Sequence, residues 1–110
     1  MITRRTIFVD ASKFFAYSNM ASVGRFISLL MHSRTQAHVF HLDTKSFAIH
    51  KALDTYYTSI VPLLDSYAEA YKGRYGNLNR MTPMPSINRD PTKAVAYFQS
   101  LLTTIQNMNL

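Results

Sequence analysis

The sequence predicts a single all-α domain in which two long antiparallel helices form a hairpin and a third helix packs behind them. Two observations carry this. Apolar residues recur at three- and four-residue spacing over 22–42, 46–72 and 91–108. Capping residues precede the second and third of these stretches, and a Pro- and Asn-rich run separates them. At 110 residues the chain supports one domain (1–110) with a modest core.

Residues 1–21 read as an N-terminal arm. Thr6-Ile-Phe-Val9 favours extended backbone, and Asp10 can cap one helical turn. The first helix, 22–42, places Val23, Phe26, Leu29, Leu30, Ala37, Val39 and Phe40 along one stripe. Asp43-Thr44-Lys45 interrupts it, and Ser46 then caps the second helix, 46–72, whose apolar residues include Phe47, Ile49, Leu53, Tyr57, Ile60, Leu64 and Tyr71. Pro62 lies inside this helix and removes its hydrogen bond to Thr58, which predicts a kink. Gly73 and Gly76 are its expected stop. Residues 77–90 hold Pro83 and Pro85 and predict a long loop. Asp90-Pro91 is a cap followed by proline in the first turn, and Val95, Phe98, Leu101, Leu102, Ile105 and Met108 mark the third helix, 91–108.

Composition narrows the function. There is no cysteine, so any metal site uses histidine and carboxylate. No apolar run is long enough for a leader or a membrane span, which predicts no membrane partner. Twelve Lys and Arg against six Asp and Glu give a net charge of +6. The cations are dispersed from Arg4 to Lys93 with no block of five, a pattern of a solvated basic face that also admits DNA as a partner. A Gly-rich phosphate loop, a nucleophile elbow and an HExxH helix are all missing.

The scarce titratable residues are concentrated. Gln36 to Asp54 holds three of the four histidines and two of the acids. On the second helix, at about 100° per residue, His50, Asp54, Asp65 and Glu69 share one face. His38 and His50 are each six residues from Thr44, so a turn centred there sets them at one height. His50 and Asp65 are about 22 Å apart along the axis, too far to share an ion within one chain. Two copies of the second helix paired antiparallel about a two-fold axis remove the difficulty. The register that sets Asp54 opposite Asp65 also sets His50 opposite Glu69. Two equal sites result, each with His38, His50 and Asp54 from one copy and Asp65 and Glu69 from the other. Imidazole with carboxylate suits iron, and manganese or zinc as alternatives. The competing reading is a solvated helix face with no metal. His41, three residues after His38, is either an auxiliary ligand or a helix-end surface residue, and His32 reads as surface.

The run Gln36-Ala-His38 with His50, Asp54, Asp65 and Glu69, in the spacing His-x11-His-x3-Asp-x10-Asp-x3-Glu, resembles the ferroxidase signature of the Dps mini-ferritins. The resemblance implies a ferritin-like fold, metal ligands His38, His50, Asp54, Asp65 and Glu69 at a dimer interface, and oxidation of Fe(II) there. The chain departs from that family in Val39, where a Trp usually follows the first His, in Leu42-Asp43-Thr44-Lys45 and in Pro62. It also departs in lacking a fourth helix after Leu110. The expected architecture is therefore a truncated four-helix bundle completed by homo-oligomerisation. The segments HLDTKSFAIHKAL and AEAYKGRYG are also similar to short bacteriophage proteins of unknown function, which implies an alternative role as a non-enzymatic structural or interaction protein of a phage particle, with other phage structural proteins as partners. The expected location is the cytoplasm of a bacterial host, or the virion.

Overall fold

The computed structural model describes residues 4–78, 81–108 and 110, with side chains from Val23 onward. Its elements are α1 (Arg4–Asp43), α2 (Phe47–Tyr75), a 3-10 turn (Pro91–Lys93) and α3 (Ala94–Gln106). The architecture is all-α, as expected, with no strand among the described residues.

The extended arm predicted for 1–21 is corrected: the first helix is already formed at Arg4, while residues 1–3 lie outside the described residues. Strand propensity at Thr6 to Val9 expresses packing on a pleated surface, and no neighbouring strand offers one. Neither Pro nor Gly interrupts 4–22, so the helix continues backward from Val23. Its 40 residues at about 1.5 Å each account for the 60 Å long axis of the molecule.

α2 begins where the cap predicts. Ser46 is extended, and its hydroxyl accepts a hydrogen bond from the Ile49 amide at 3.3 Å. The helix runs through Pro62, which is exposed, so the Thr58 carbonyl left without an amide partner sits on the solvent side. It also runs through Gly73 and ends at Tyr75. Among the described glycines Gly76 is the one with positive φ, at 90°, and its amide closes on the Lys72 carbonyl at 2.8 Å.

α1 and α2 pack antiparallel around two clusters. Near the turn, Ala37, Phe40, Leu53 and Ala94 join all three helices, with Tyr56, Tyr57, Tyr97 and Phe98 around them. Further along, Val23, Ile27 and Leu64 pack with Phe26, Leu30, Ala68, Tyr71 and Leu78. Phe40 and Ile27 are fully buried, each stabilising the hairpin by roughly 2–3 kcal/mol.

The 3-10 turn that leads into α3 is capped by Asp90, whose carboxylate accepts from the Thr92 amide at 3.0 Å and the Thr92 hydroxyl at 2.7 Å. These bonds, with the nearby Lys93 charge, hold the Asp90 carboxyl below its ordinary pKa. The first turn is 3-10, so the α-helix proper starts at Ala94 and ends at Gln106 rather than spanning 91–108. The core-facing stripe is also rotated from the predicted one. Ala94, Tyr97 and Phe98 enter the core, while Val95 and Leu102 are exposed.

The described residues of 77–90 contain no regular element, as predicted, but three buried polar residues of α1 fasten this segment down. Ser28, His32 and Gln36 recur every four residues and so form one row. The Ser28 hydroxyl accepts from the Thr82 amide at 3.0 Å. Gln36, fully buried, grips Asn88 with both ends of its amide: the Asn88 N–H donates to Oε1 and Nε2 donates to the Asn88 carbonyl, both at 2.7 Å. His32 lies between, and its predicted surface position is corrected, because it is only 3% exposed. Nε2 faces the Ser86 carbonyl at 3.3 Å and Nδ1 faces the Tyr97 hydroxyl at 2.7 Å. A carbonyl can only accept, so Nε2 carries the proton and, in the neutral ring, Nδ1 accepts from Tyr97. Among the described residues every buried polar side-chain atom has a partner, which is what lets a polar row sit under a strap without the cost of lost hydration.

Candidate metal centre

At the closed end of the hairpin, the last two turns of α1 present His38 and His41, and the first turn of α2 presents His50. The imidazoles of His41 and His50 stack with centroids 3.7 Å apart and planes 19° apart. Each Nδ1 lies 2.8 Å from the backbone carbonyl of the other residue. Both Nδ1 atoms therefore donate, and in the neutral rings both Nε2 atoms keep their lone pairs. Hydrogen bonding of one ring nitrogen to a carbonyl is the usual way a histidine is oriented to use the other as a ligand.

The predicted meeting of His38 with His50 is corrected. His41 takes that position, and the midpoint of its pairing with His50 falls between Lys45 and Ser46 rather than at Thr44. His38 stacks instead on Tyr57, with centroids 4.4 Å apart and planes 17° apart, and its ring is 6.0 Å from that of His41. The aromatic chain continues through Phe47, whose ring stacks 6.4 Å from His50 and is 75% exposed. A turn symmetric about Thr44 points to His38. Ser46 as the cap of α2 was the signal that moves it.

The carboxylates lie on the outer face of α2. Asp54, Asp65 and Glu69 are all exposed. A hydrogen bond with Asp54 first, then burial and the Asp54 charge, push the Tyr57 hydroxyl above its ordinary pKa, and Arg34 acts in the opposite direction. Asp65 borders a shallow pocket of about 300 Å³ with Arg34, Thr35, Val61, Leu64 and Met84. Among the described residues no three His, Asp or Glu side chains of one chain gather closely enough to hold an ion. The donor types suit iron, manganese or zinc, but one chain presents only the imidazole half of such a set.

Between α2 and α3 lies an open groove of about 400 Å³ lined by Ile49, Ala52, Leu53, Ala94, Val95, Phe98, Gln99 and Leu102. No helix among the described residues is long and apolar enough to cross a membrane.

Fold and site together define a small helical-hairpin protein with an imidazole cluster at its turn. The chain belongs to the family of unknown function DUF5856, whose model matches residues 41–110, a span that contains His41, His50, Asp54, Asp65 and Glu69 but not His38. It is also similar to an uncharacterized 14.6 kDa protein in the mobD-ri intergenic region of Enterobacteria phage T4, 32% identical over 78 residues, 70% of this chain. The chain matches 59% of that relative's length. No solved structure matches.

Proposed function

We propose that two copies of this chain pair antiparallel through α2 and bind a divalent metal, iron foremost, at two equal sites in the manner of the mini-ferritins. At each site His41 and His50 of one copy, with Asp54 one turn further along α2, face Asp65 and Glu69 of the other. The observation that supports it is the reciprocal Nδ1–H to carbonyl lock, which aligns two imidazoles and leaves both Nε2 lone pairs free. His38 becomes an outer residue, one ring away from the pair. The exposed face of α2 bearing Asp54, Thr58, Pro62, Asp65 and Glu69 is the surface a second copy would cover. Fe(II) is then a substrate: carboxylates from the second copy favour Fe(III), and dioxygen or peroxide takes the electron.

Anaerobic Fe(II) titration by calorimetry, with molecular mass measured on the same sample, tests this. The expected result is a dimer or larger assembly binding at least one ion per chain, with loss of binding in His41→Ala/His50→Ala and in Asp65→Ala/Glu69→Ala, and retention in His38→Ala. A monomer at every concentration, or unchanged binding in the carboxylate variant, removes the proposal.

A second reading, a non-enzymatic interaction protein of a phage particle, is favoured by the apolar groove between α2 and α3 and by the phage T4 relative. It predicts that a chelator leaves the melting temperature unchanged, whereas a metal-bridged assembly melts earlier once the metal is removed.

A further inference from the structure

The molecule leaves two apolar features without a partner, one at each end. The first is an overhang of α1. His41 stacks on His50 and Phe26 meets Tyr67, a pairing that sets Tyr75, the last residue of α2, level with residues 16–18 of α1. The segment after α2 turns back along α1 toward the hairpin turn, with Thr82 at Ser28 and Asn88 at Gln36. Residues 4–15 of α1 therefore run on past α2 for about 18 Å. In the sequence of this stretch Ile7, Phe8, Ala11, Phe14 and Phe15 fall within about 120° of one another around a helix, and Asp10 and Lys13 lie outside that arc. The second feature is the groove between α2 and α3, beside the turn. Its floor includes Leu53 and Ala94, and its lip includes Val95 and Leu102, 62% and 57% exposed. No charged side chain lines it, and none occurs anywhere from Ala94 to Leu110.

The two features match in size and place. The groove follows α3, whose 13 residues span about 20 Å, close to the length of the overhang. The overhang takes up one end of the 60 Å axis and the groove the other, where Ala94 packs with Ala37 and Phe40. α1 is one continuous helix from Arg4, so the overhang points away from the groove of its own chain. Two copies lying side by side, head to tail, set each overhang level with the other's groove, and a two-fold axis makes both contacts at once. We infer that the groove is filled by residues 4–15 of a second copy, exchanged reciprocally, so that each overhang is the fourth helix of the other's bundle. Charge favours this face, because two chains of net charge +6 repel and meet here through a groove without charged side chains. Three phenylalanines per overhang, each burying about 150–250 Å² when covered, bring two overhangs to roughly 900–1,500 Å², near what a stable interface needs. On α2 the groove residues Ile49 and Ala52 point about 100° or more away from Asp65 and Glu69, so this pairing uses a different face from the metal-bridged one and stands independently of it.

Sedimentation velocity over a concentration series, in buffer containing a chelator, tests it. A dimer is expected without metal. Leu102→Glu, at the exposed lip of the groove, and Phe14→Glu, on the overhang, are each expected to raise the dimer dissociation constant at least about ten-fold, because each sets a charge in an apolar contact. Asp65→Ala/Glu69→Ala is expected to leave it unchanged. The chain has no cysteine, so single thiols report the contact. An equal mixture of Ser12→Cys and Gln99→Cys proteins, treated with a short bis-maleimide, is expected to give a cross-linked pair containing one of each. Circular dichroism of each variant confirms the helical fold. A monomer at every concentration, a dimer that Leu102→Glu leaves intact, or the absence of the mixed cross-link overturns the inference. A dimer that withstands Leu102→Glu and dissociates in Asp65→Ala/Glu69→Ala overturns it in favour of pairing through the acidic face.

Discussion

His41 and His50 close the hairpin as a mutual pair: each ring lies 3.7 Å from the other, and each donates a hydrogen bond to the other's main-chain carbonyl. Because the acceptors are backbone atoms, replacing one histidine by alanine leaves the other ring its hydrogen bond but removes the stack. The two rings should therefore be coupled in stability. Urea denaturation of His41→Ala, His50→Ala and the double variant is expected to give a coupling energy of about 0.5–1.5 kcal/mol, the usual range for a packed aromatic pair. Strict additivity of the two single effects would show that the rings do not touch in solution.

Gln36 holds the strap by both ends of one amide, inside the protein. Gln36→Leu keeps approximate volume but strands the Asn88 N–H and carbonyl. Asn88 itself is exposed and its freed groups can reach water, so an expected loss of about 1–3 kcal/mol follows from the two hydrogen bonds removed. Amide exchange at Asn88 should accelerate along with it. A variant as stable as the parent would mean that the strap is held elsewhere.

Tyr97 donates to His32 from a half-buried position, and burial first, then the Tyr56 charge, push its ionisation far above the ordinary tyrosine range. The sign follows directly. The unfolded chain ionises this group near pH 10 while the folded chain holds it neutral, so its contribution is fully present below about pH 10 and is lost above it. Stability followed by denaturant titration from pH 8 to 11 should fall, and fall less in Tyr97→Phe. Identical slopes in the two proteins would contradict the assignment.

Asp90 shows the opposite sign. The Thr92 hydroxyl and amide bonds stabilise its charged form, so its contribution is present above the unfolded carboxylate value of about 3.9 and disappears as pH drops through the lower folded value. Asp90→Asn keeps a capping oxygen without the charge. The stability difference between parent and variant should shrink on acidification, read from the helical signal in urea at pH 6 and at pH 2.5. A constant difference would mean that the charge plays no part in the cap.

Local chemistry written in the chain itself determined the elements. Ser46 and Asp90 capped the helices that follow them, Gly76 ended α2, and the three-four spacing of Val23, Ala37, Phe40, Leu53 and Leu64 put those residues in the core. It also gathered the imidazoles at the turn, since 41 and 50 flank a three-residue connection. Tertiary structure decided what depends on distance between elements. Only packing could turn α3 so that Ala94 and Tyr97 face inward while Val95 and Leu102 do not, because a helix with apolar residues on most sides offers several stripes and its neighbours select one. Only packing could show that Ser28, His32 and Gln36, an unremarkable polar row, are buried under the strap, because their partners Thr82, Ser86 and Asn88 are more than fifty residues away and act through backbone atoms that carry no sequence signature.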